Sequence, residues 1–443
     1  MLRGRNVPWD LIIFVASISA LAFLYGVVVT HFRLFPYPII RSAGRAANAL
    51  RELYLERQNT VHRIRSEDGR GGVTTYDADR AYNGLTLLTL FSGERNVAVL
   101  VDMSGRELHR WDVRLSTVLG EKYESVRDVN KYMNSAHVFP NGEILLNFDY
   151  AGLVKLDRAC NVLWKLDEPT HHSIFVDADG AIWVPTRQLQ EKPQEFAAWI
   201  SSPYDDDQLL KLSPDGKVVK RISVLKAIFA SRYEGILFAN ASLNPRVDYK
   251  DPLHLNDAEL IPGSATGHPL FAPGDVLLSL RNINAVIALD PASERIKWSQ
   301  TGPFLRQHDP DFLPNGNLLV FDNRTDTDQH HEVQHLTEPQ AFGYSRVIEI
   351  NPMTGRVIWE FAGSREKPFY SSINGMAERL PNGNHLIVEP EAGRVLEIAG
   401  TADSQVVWEY RNSLGTDPAT VGRIAYANRL EPGALTFLST PVN

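Results

Sequence analysis

HVFPNGEILLNFDYAGLVKLDRACNVLW, residues 137–164, reads as two short apolar strands joined by Pro-Asn-Gly, a third strand ending in Leu-Asp, and a fourth ending in tryptophan. Asn-Gly supplies the left-handed backbone that a tight hairpin turn requires. The same order recurs along the chain. HSIFVDADGAIWVPTRQ with QLLKLSPDGKVVKRI occupies 172–222, and HLNDAELIPG with GDVLLSLRNINAVIALDPASERIKW occupies 254–298. HDPDFLPNGNLLVFDN with SRVIEINPMTGRVIW follows at 308–359, and GMAERLPNGNHLIVEPEAGRVLEIAGTADSQVVW at 375–408. Short alternating strands repeating at a period of about 50 residues mark a β-propeller rather than a sandwich.

The ends complete the count. Residues 85–111 hold only the later strands of a unit, and residues 424–438 supply a first strand. Joining them gives a sixth blade and removes the open sheet edges. The expected fold is therefore all-β, a six-bladed propeller over 82–443 closed by 424–438 pairing with 85–111. Trp111, Trp164, Trp298, Trp359 and Trp408 recur at equivalent outer-strand positions and are expected to pack between blades. Trp111-Asp112 is not repeated in the other units, so the chain does not have a WD40 pattern.

Before the propeller lie a tail (1–8), an apolar segment (9–32), and a stretch at 33–81. Leu11–Thr30 carries twenty residues without a charge. At about 1.5 Å per residue these span a hydrocarbon core of about 30 Å. The run exceeds the roughly 7–15 residues of a cleaved signal peptide, so an uncleaved transmembrane anchor is expected. Phe35-Pro36-Tyr37-Pro38 should end that helix, because proline cannot donate within one. A juxtamembrane helix is expected over 39–65, with Ile40, Ala43, Ala47, Leu50 and Leu53 on one stripe and arginines opposite. It could lie on anionic lipid or pack on the propeller. Glu67–Val73 reads as a flexible joint. Arg3 and Arg5 precede the anchor, whereas Arg33, Arg41, Arg45 and Arg51 follow it. The charge count is thus nearly balanced and leans toward a cytoplasmic propeller.

The 443 residues are 44% apolar with a net charge of −8 and no basic block, which argues against a nucleic-acid partner. Cys160 is the only cysteine, so no intrachain disulfide forms.

Polar residues entering the first strands of different repeats converge on one axis in a propeller. Asn134, His172 and His308 each precede a turn glycine (Gly142, Gly180, Gly316) by eight residues, and His254 precedes Gly263 by nine. Arg281 interrupts the apolar LLSLRN on the second strand of the His254 unit. A planar, permanently charged fork beside imidazoles suits a tetrahedral oxyanion such as a sulfate or phosphate ester. A competing motif, His331-Glu332-Val333-Gln334-His335, matches the zinc-protease H-E-x-x-H. It lies in a polar insertion without an apolar helical face or third ligand, so a solvated or channel-rim loop is expected and no metal. No P-loop or G-x-G-x-x-G is present to hold a nucleotide.

DPLHLNDAEL, GDVLLSLRNINAVIALD and QHDPDFLPNGNLLVFDN, in that order, resemble the bacterial arylsulfotransferase family over about 130–412. Its members are six-bladed propellers that need no nucleotide sulfate donor. The resemblance implies transfer of a sulfuryl group from an aryl sulfate to a phenol by a ping-pong route through a sulfohistidine at His308. Arg281, His254 and His172 would complete the catalytic set, with Asn256, Asn134 and His171 contacting substrate. His171 is an alternative to His172, since a strand would turn the neighbours to opposite faces. The resemblance implies no metal or other cofactor. It also implies an inner-membrane protein with its propeller on the periplasmic side. Well-known members have an extra N-terminal β domain and a disulfide; here an anchor and a helix are expected instead, and one cysteine is too few for that disulfide. The recurring tryptophans also resemble those of quinone-dependent dehydrogenase propellers, but those typically have eight blades. The alternative from another class is a non-catalytic membrane-anchored propeller that binds a ligand or protein partner.

Overall fold

The computed structural model describes residues 8–32, 34–37, 39, 63–65, 70–93, 95–126, 131–200, 202–238, 250–325, 343–400, 404–414 and 420–439. The chain divides into two units, Met1–Val61 and His62–Asn443. In the first, a helix runs from Trp9 to Phe32, 24 residues long and apolar enough to cross a membrane.

The second unit is a six-bladed propeller. Blade 1 pairs Ile424–Leu430 with Leu85–Ser92, followed by Arg95–Val101 and Glu107–Trp111. Blades 2 to 5 are four-stranded and continuous in sequence, spanning Met133–Leu166, Phe175–Ser223, Leu255–Thr301 and His308–Ala362. Blade 6, Met376–Arg411, gains a fifth strand, Gly72–Tyr76, paired on its outer edge with Tyr76 opposite Trp408.

That fifth strand corrects the reading of 33–81 as helix and linker. Gly72 and Val73, placed in the flexible joint, are paired sheet residues. Arg63–Arg65, placed at the end of the juxtamembrane helix, form a strand against Thr420–Gly422. The rest of that helix, 40–62, lies outside the described residues, as do His331 and His335. The exposed backbone of an outer strand recruits any neighbouring segment that can extend, whatever its weak local preference.

Among the described residues the apolar core is divided into six clusters, one in each seam between neighbouring blades. The tryptophans lie at these seams. Trp164 Nε1 donates to the Pro214 carbonyl of the next blade at 3.2 Å. Trp359 stacks on His385 of blade 6 at 4.1 Å, and Trp408 Nε1 donates to the Met103 carbonyl of blade 1 at 2.9 Å. The glycines of the first hairpins, such as Gly142 (φ 87°) and Gly316 (φ 83°), are left-handed as Asn-Gly turns require. In blade 4 that position belongs to Gly274 (φ 87°), not Gly263, because residues 261–273 form an insertion before the turn.

Candidate active site

Each blade's inner strand starts at the end of the ring where the preceding blade's outer strand finishes. Four inner strands begin with a register shift, between Met133 and Ser135, Leu255 and Asp257, His308 and Asp311, and Ile424 and Tyr426. The extra residue in such a bulge is re-aimed out of the sheet. Here those residues include Asn134, Asn256, Asp309 and Ala425, and all four line one axial cavity of about 380 Å³. His172 and His308 line it too.

His172 and His254 both hold left-handed backbone, with φ of 56° and 54°. Such a conformation costs a non-glycine residue about 1 kcal/mol and persists only where neighbours fix it. For His172 the clamp is blade 2: the Ser135 hydroxyl donates to the His172 carbonyl at 2.5 Å and the Asn147 amide at 3.2 Å. For His254 it is Asp251, whose carboxylate accepts from the His254 backbone N–H at 3.1 Å and faces Nδ1 of its ring at 2.5 Å.

The rings converge. His172 is 5.3 Å from His254 and 6.2 Å from His308, centroid to centroid. Arg281 stands one residue past the second strand of blade 4, as the first residue of a short turn rather than within the strand. Its backbone N–H donates to the His254 carbonyl at 3.0 Å. Burial chiefly, and then neighbouring positive charge including that of Arg281, push the His308 and His172 imidazoles well below their ordinary range. Both are therefore neutral at pH 7. Asp251 is held at about 2: burial opposes ionisation, but His254, Arg187 and Arg281 outweigh it.

His308 is braced on both sides. Gln307 Nε2 donates back to Ser279 Oγ at 3.1 Å and to the Ala285 carbonyl at 2.9 Å, both in blade 4. Asp309 accepts from the Ala377 N–H of blade 6 at 2.8 Å. Asn323, which the sequence did not single out, fixes the ring itself. Its Nδ2 donates to the carbonyls of Ser371 (2.9 Å) and Asn374 (2.7 Å), so its Oδ1 must be the atom 2.7 Å from His308 Nδ1. The proton of the neutral imidazole therefore sits on Nδ1, and Nε2 keeps a lone pair.

His171 lies behind this set. It precedes the inner strand, so no strand alternation turns it away from His172; their Nδ1 atoms are 2.9 Å apart. Its ring packs on Tyr150 at 4.7 Å, and the Arg187 guanidinium covers that tyrosine at 3.8 Å. His171 does not line the axial cavity, whereas His172 does.

Further along the axis the lining changes sign. Asp257, Glu259, Asp309, Asp311 and Glu378 all face the cavity. Burial pushes Asp257 and Glu378 up to about 7 and Glu259 up to about 8. Asp257 and Glu259 stand at i and i+2 in DAE on one inner strand, a period-2 spacing that sends both to one face, whereas the bulge re-aims Asp309 beside Asp311 and Glu378 has no partner at that spacing.

No curated protein matches the chain. Among solved structures, a protein of unknown function from Bacteroides caccae is 13% identical over 77% of this chain and 98% of its own, with a TM-score of 0.47. Virginiamycin B lyase from Staphylococcus aureus is 9% identical over 82% of this chain and 97% of its own, with a TM-score of 0.40. Neither carries a functional argument at that similarity. The model of the arylsulfotransferase (ASST) family matches residues 135–413, a span that holds every histidine of the cluster together with Arg281, Asn256 and Asn323, and the chain therefore belongs to the arylsulfotransferase family.

Proposed function

We propose that this arylsulfotransferase works by a ping-pong mechanism in which Nε2 of His308 is the nucleophile. The observation that carries the reading is the committed amide of Asn323, which leaves a neutral imidazole with its lone pair on Nε2. In the first half-reaction Nε2 attacks the sulfur of an aryl sulfate. The new N–S bond forms as the S–O(aryl) bond breaks, and the phenolate takes a proton from a neighbouring imidazole. In the second, an acceptor phenol gives up its proton, attacks the same sulfur, and returns His308 to its starting state. Arg281 and His172 offer charge and hydrogen bonds to the three sulfuryl oxygens as the transition state spreads charge over them. The charge of Arg281 beside His308 and His172 favours an anion there, so the sulfuryl group is held at the histidine end rather than along the carboxyl-lined stretch. Asn134 and Asn256, which line the cavity, would contact the aryl portion or its leaving oxygen.

The test is a donor-only experiment. With no acceptor, the protein should release about one equivalent of phenol per site in a burst and retain a labile sulfuryl adduct on His308. His308→Ala should lose both burst and turnover while keeping its fold. An active His308→Ala protein, or an adduct on another residue, would remove His308 as the nucleophile, and the absence of both burst and turnover in the native protein would leave a non-catalytic binding propeller as the better reading.

The family resemblance also supports placing the propeller on the periplasmic side of the inner membrane, with Trp9–Phe32 as a single-pass anchor. Protease added to intact spheroplasts should then digest the propeller, and digestion only after lysis would reverse the orientation.

A further inference from the structure

Four aromatic side chains cluster on the outside of blade 3. Trp199 stacks on Phe238 at 5.0 Å and approaches Phe229 at 6.0 Å, while Phe196 meets Phe229 at 5.4 Å. Trp199 is 53% exposed and Phe238 56%. Single exposed apolar residues are ordinary, but a contiguous group of large aromatics is not.

The connectivity places this patch. Phe196 and Trp199 lie between the second and third strands of blade 3, Ile182–Gln190 and Tyr204–Leu212. Phe229 and Phe238 lie between its fourth strand and the inner strand of blade 4, which His254 precedes. Both connections leave from the end of the ring where the histidines stand. The patch is therefore beside the mouth of the channel.

Among the described residues the charges around it balance. Lys192, Lys226 and Arg232 are exposed near these aromatics in sequence, and so are Glu191, Glu195 and Glu234. A patch built to attract an anionic partner would carry an excess of lysine and arginine. Tryptophan and phenylalanine without net charge instead suit the boundary between lipid headgroups and acyl chains. The same chain carries a 24-residue helix fit to cross a bilayer. Residues 33–61 connect that helix to the propeller unit. Even fully extended, such a connection reaches only about 100 Å. A propeller so tethered meets the lipid surface at high effective concentration, so a weak apolar contact suffices to hold it there.

We infer that Phe196, Trp199 and Phe238 form a lipid-docking surface that inserts into the membrane interface and presents the mouth of the channel to the bilayer. A phenol dissolved in the lipid would then meet the site without crossing bulk water; that consequence rests on the proposed sulfotransfer, whereas the docking does not.

The full chain, with Cys160→Ser to remove its one thiol, can carry a nitroxide label at Trp199→Cys or Phe238→Cys in phosphatidylcholine vesicles. Met353→Cys, in the turn at the opposite end of blade 5, serves as the aqueous reference, and Leu21→Cys reports the helix. Labels at 199 and 238 should collide with oxygen several-fold more, and with an aqueous nickel complex several-fold less, than the label at 353. Neither 0.5 M salt (about a 4 Å screening length) nor added anionic lipid should change that contrast. Labels at 199 and 238 as accessible to nickel as the one at 353 would overturn the proposal. So would protection from both reagents with spin–spin broadening, which means that a second copy covers the patch. A water-exposed label at 21 would remove the tether on which the argument depends.

Discussion

Arg429, on the strand that closes the ring, meets Glu397 of the neighbouring blade at 3.1 Å with both side chains fully buried. Arg429 also donates from Nε to Thr86 Oγ1 at 3.0 Å, and its guanidinium lies 4.7 Å from the Trp408 ring. Glu397 takes two further bonds, from the Tyr82 N–H at 2.6 Å and Asn384 Nδ2 at 2.7 Å. Blades 1 and 6 are thus joined by a buried ion pair as well as by their apolar seam. Arg429→Ala strands the carboxylate inside the protein and should destabilise the propeller by about 3–5 kcal/mol, read by chemical denaturation. Glu397→Gln with Arg429→Met, which removes both charges, should recover most of that loss.

Asn323 governs which nitrogen of His308 can attack. Asn323→Ala frees the ring to take the other tautomer and should slow turnover by about 10²-fold or more, on the scale of tautomer loss in Ser-His-Asp enzymes. A substitution that acted only through stability would leave the pH profile in place. Asn323→Asp should move it, because a carboxylate at Nδ1 favours the protonated imidazole. The acid limb of the donor half-reaction then shifts to higher pH, whereas in the native protein burial keeps His308 neutral below pH 6.5.

Asp251 stands behind His254 as Asn323 stands behind His308, but it is a carboxylate and not an amide. An imidazole backed by a carboxylate is suited to carry the proton that a departing phenolate needs. Asp251→Asn should therefore slow transfer from phenyl sulfate, whose leaving group needs that proton, by roughly 10- to 100-fold. With 4-nitrophenyl sulfate, whose phenolate leaves unaided, the loss should be small. Equal losses with both donors would assign Asp251 to the fold alone.

The carboxyl groups of the axial cavity give stability a dependence on pH. Glu259 is pushed up to about 8 in the folded protein from an ordinary 4.5. A raised folded value means that its contribution is complete below pH 4.5 and is lost as pH rises toward 8. Glu259→Gln should lie close to the native protein in Tm at pH 4.5 and above it by about a few degrees at pH 8.5. A difference between the two proteins that is the same at both pH values would contradict the shift.

The propeller was legible because each repeat writes its turn and its outer tryptophan in the sequence, and strand alternation does the rest. Gly72–Tyr76 was not, since GVTTY has neither a hairpin turn nor a repeat partner and owes its pairing to the open edge of Val406–Arg411. The convergence of His172, His254 and His308 could be read from their place before the inner strands. The offset to Gly263 was a coincidence of spacing that the insertion in blade 4 exposes. Asn323 and Asp251 escaped notice for a different reason. An asparagine or aspartate near a strand end usually caps a turn, and only the atoms opposite it reveal that it holds a ring.

The closing strand has a consequence for how the protein is made. Leu85–Ser92 is synthesised early with eight residues, most of them buried in the finished blade, yet its inner partner, Ile424–Leu430, follows five whole blades later. Throughout that interval the nascent chain carries an apolar, unpaired edge of the kind that seeds aggregation. A chain halted by a premature stop at residue 420 would contain every histidine of the cluster. It would nevertheless be a target for chaperones and proteases, because the strand that retires that edge would never leave the ribosome.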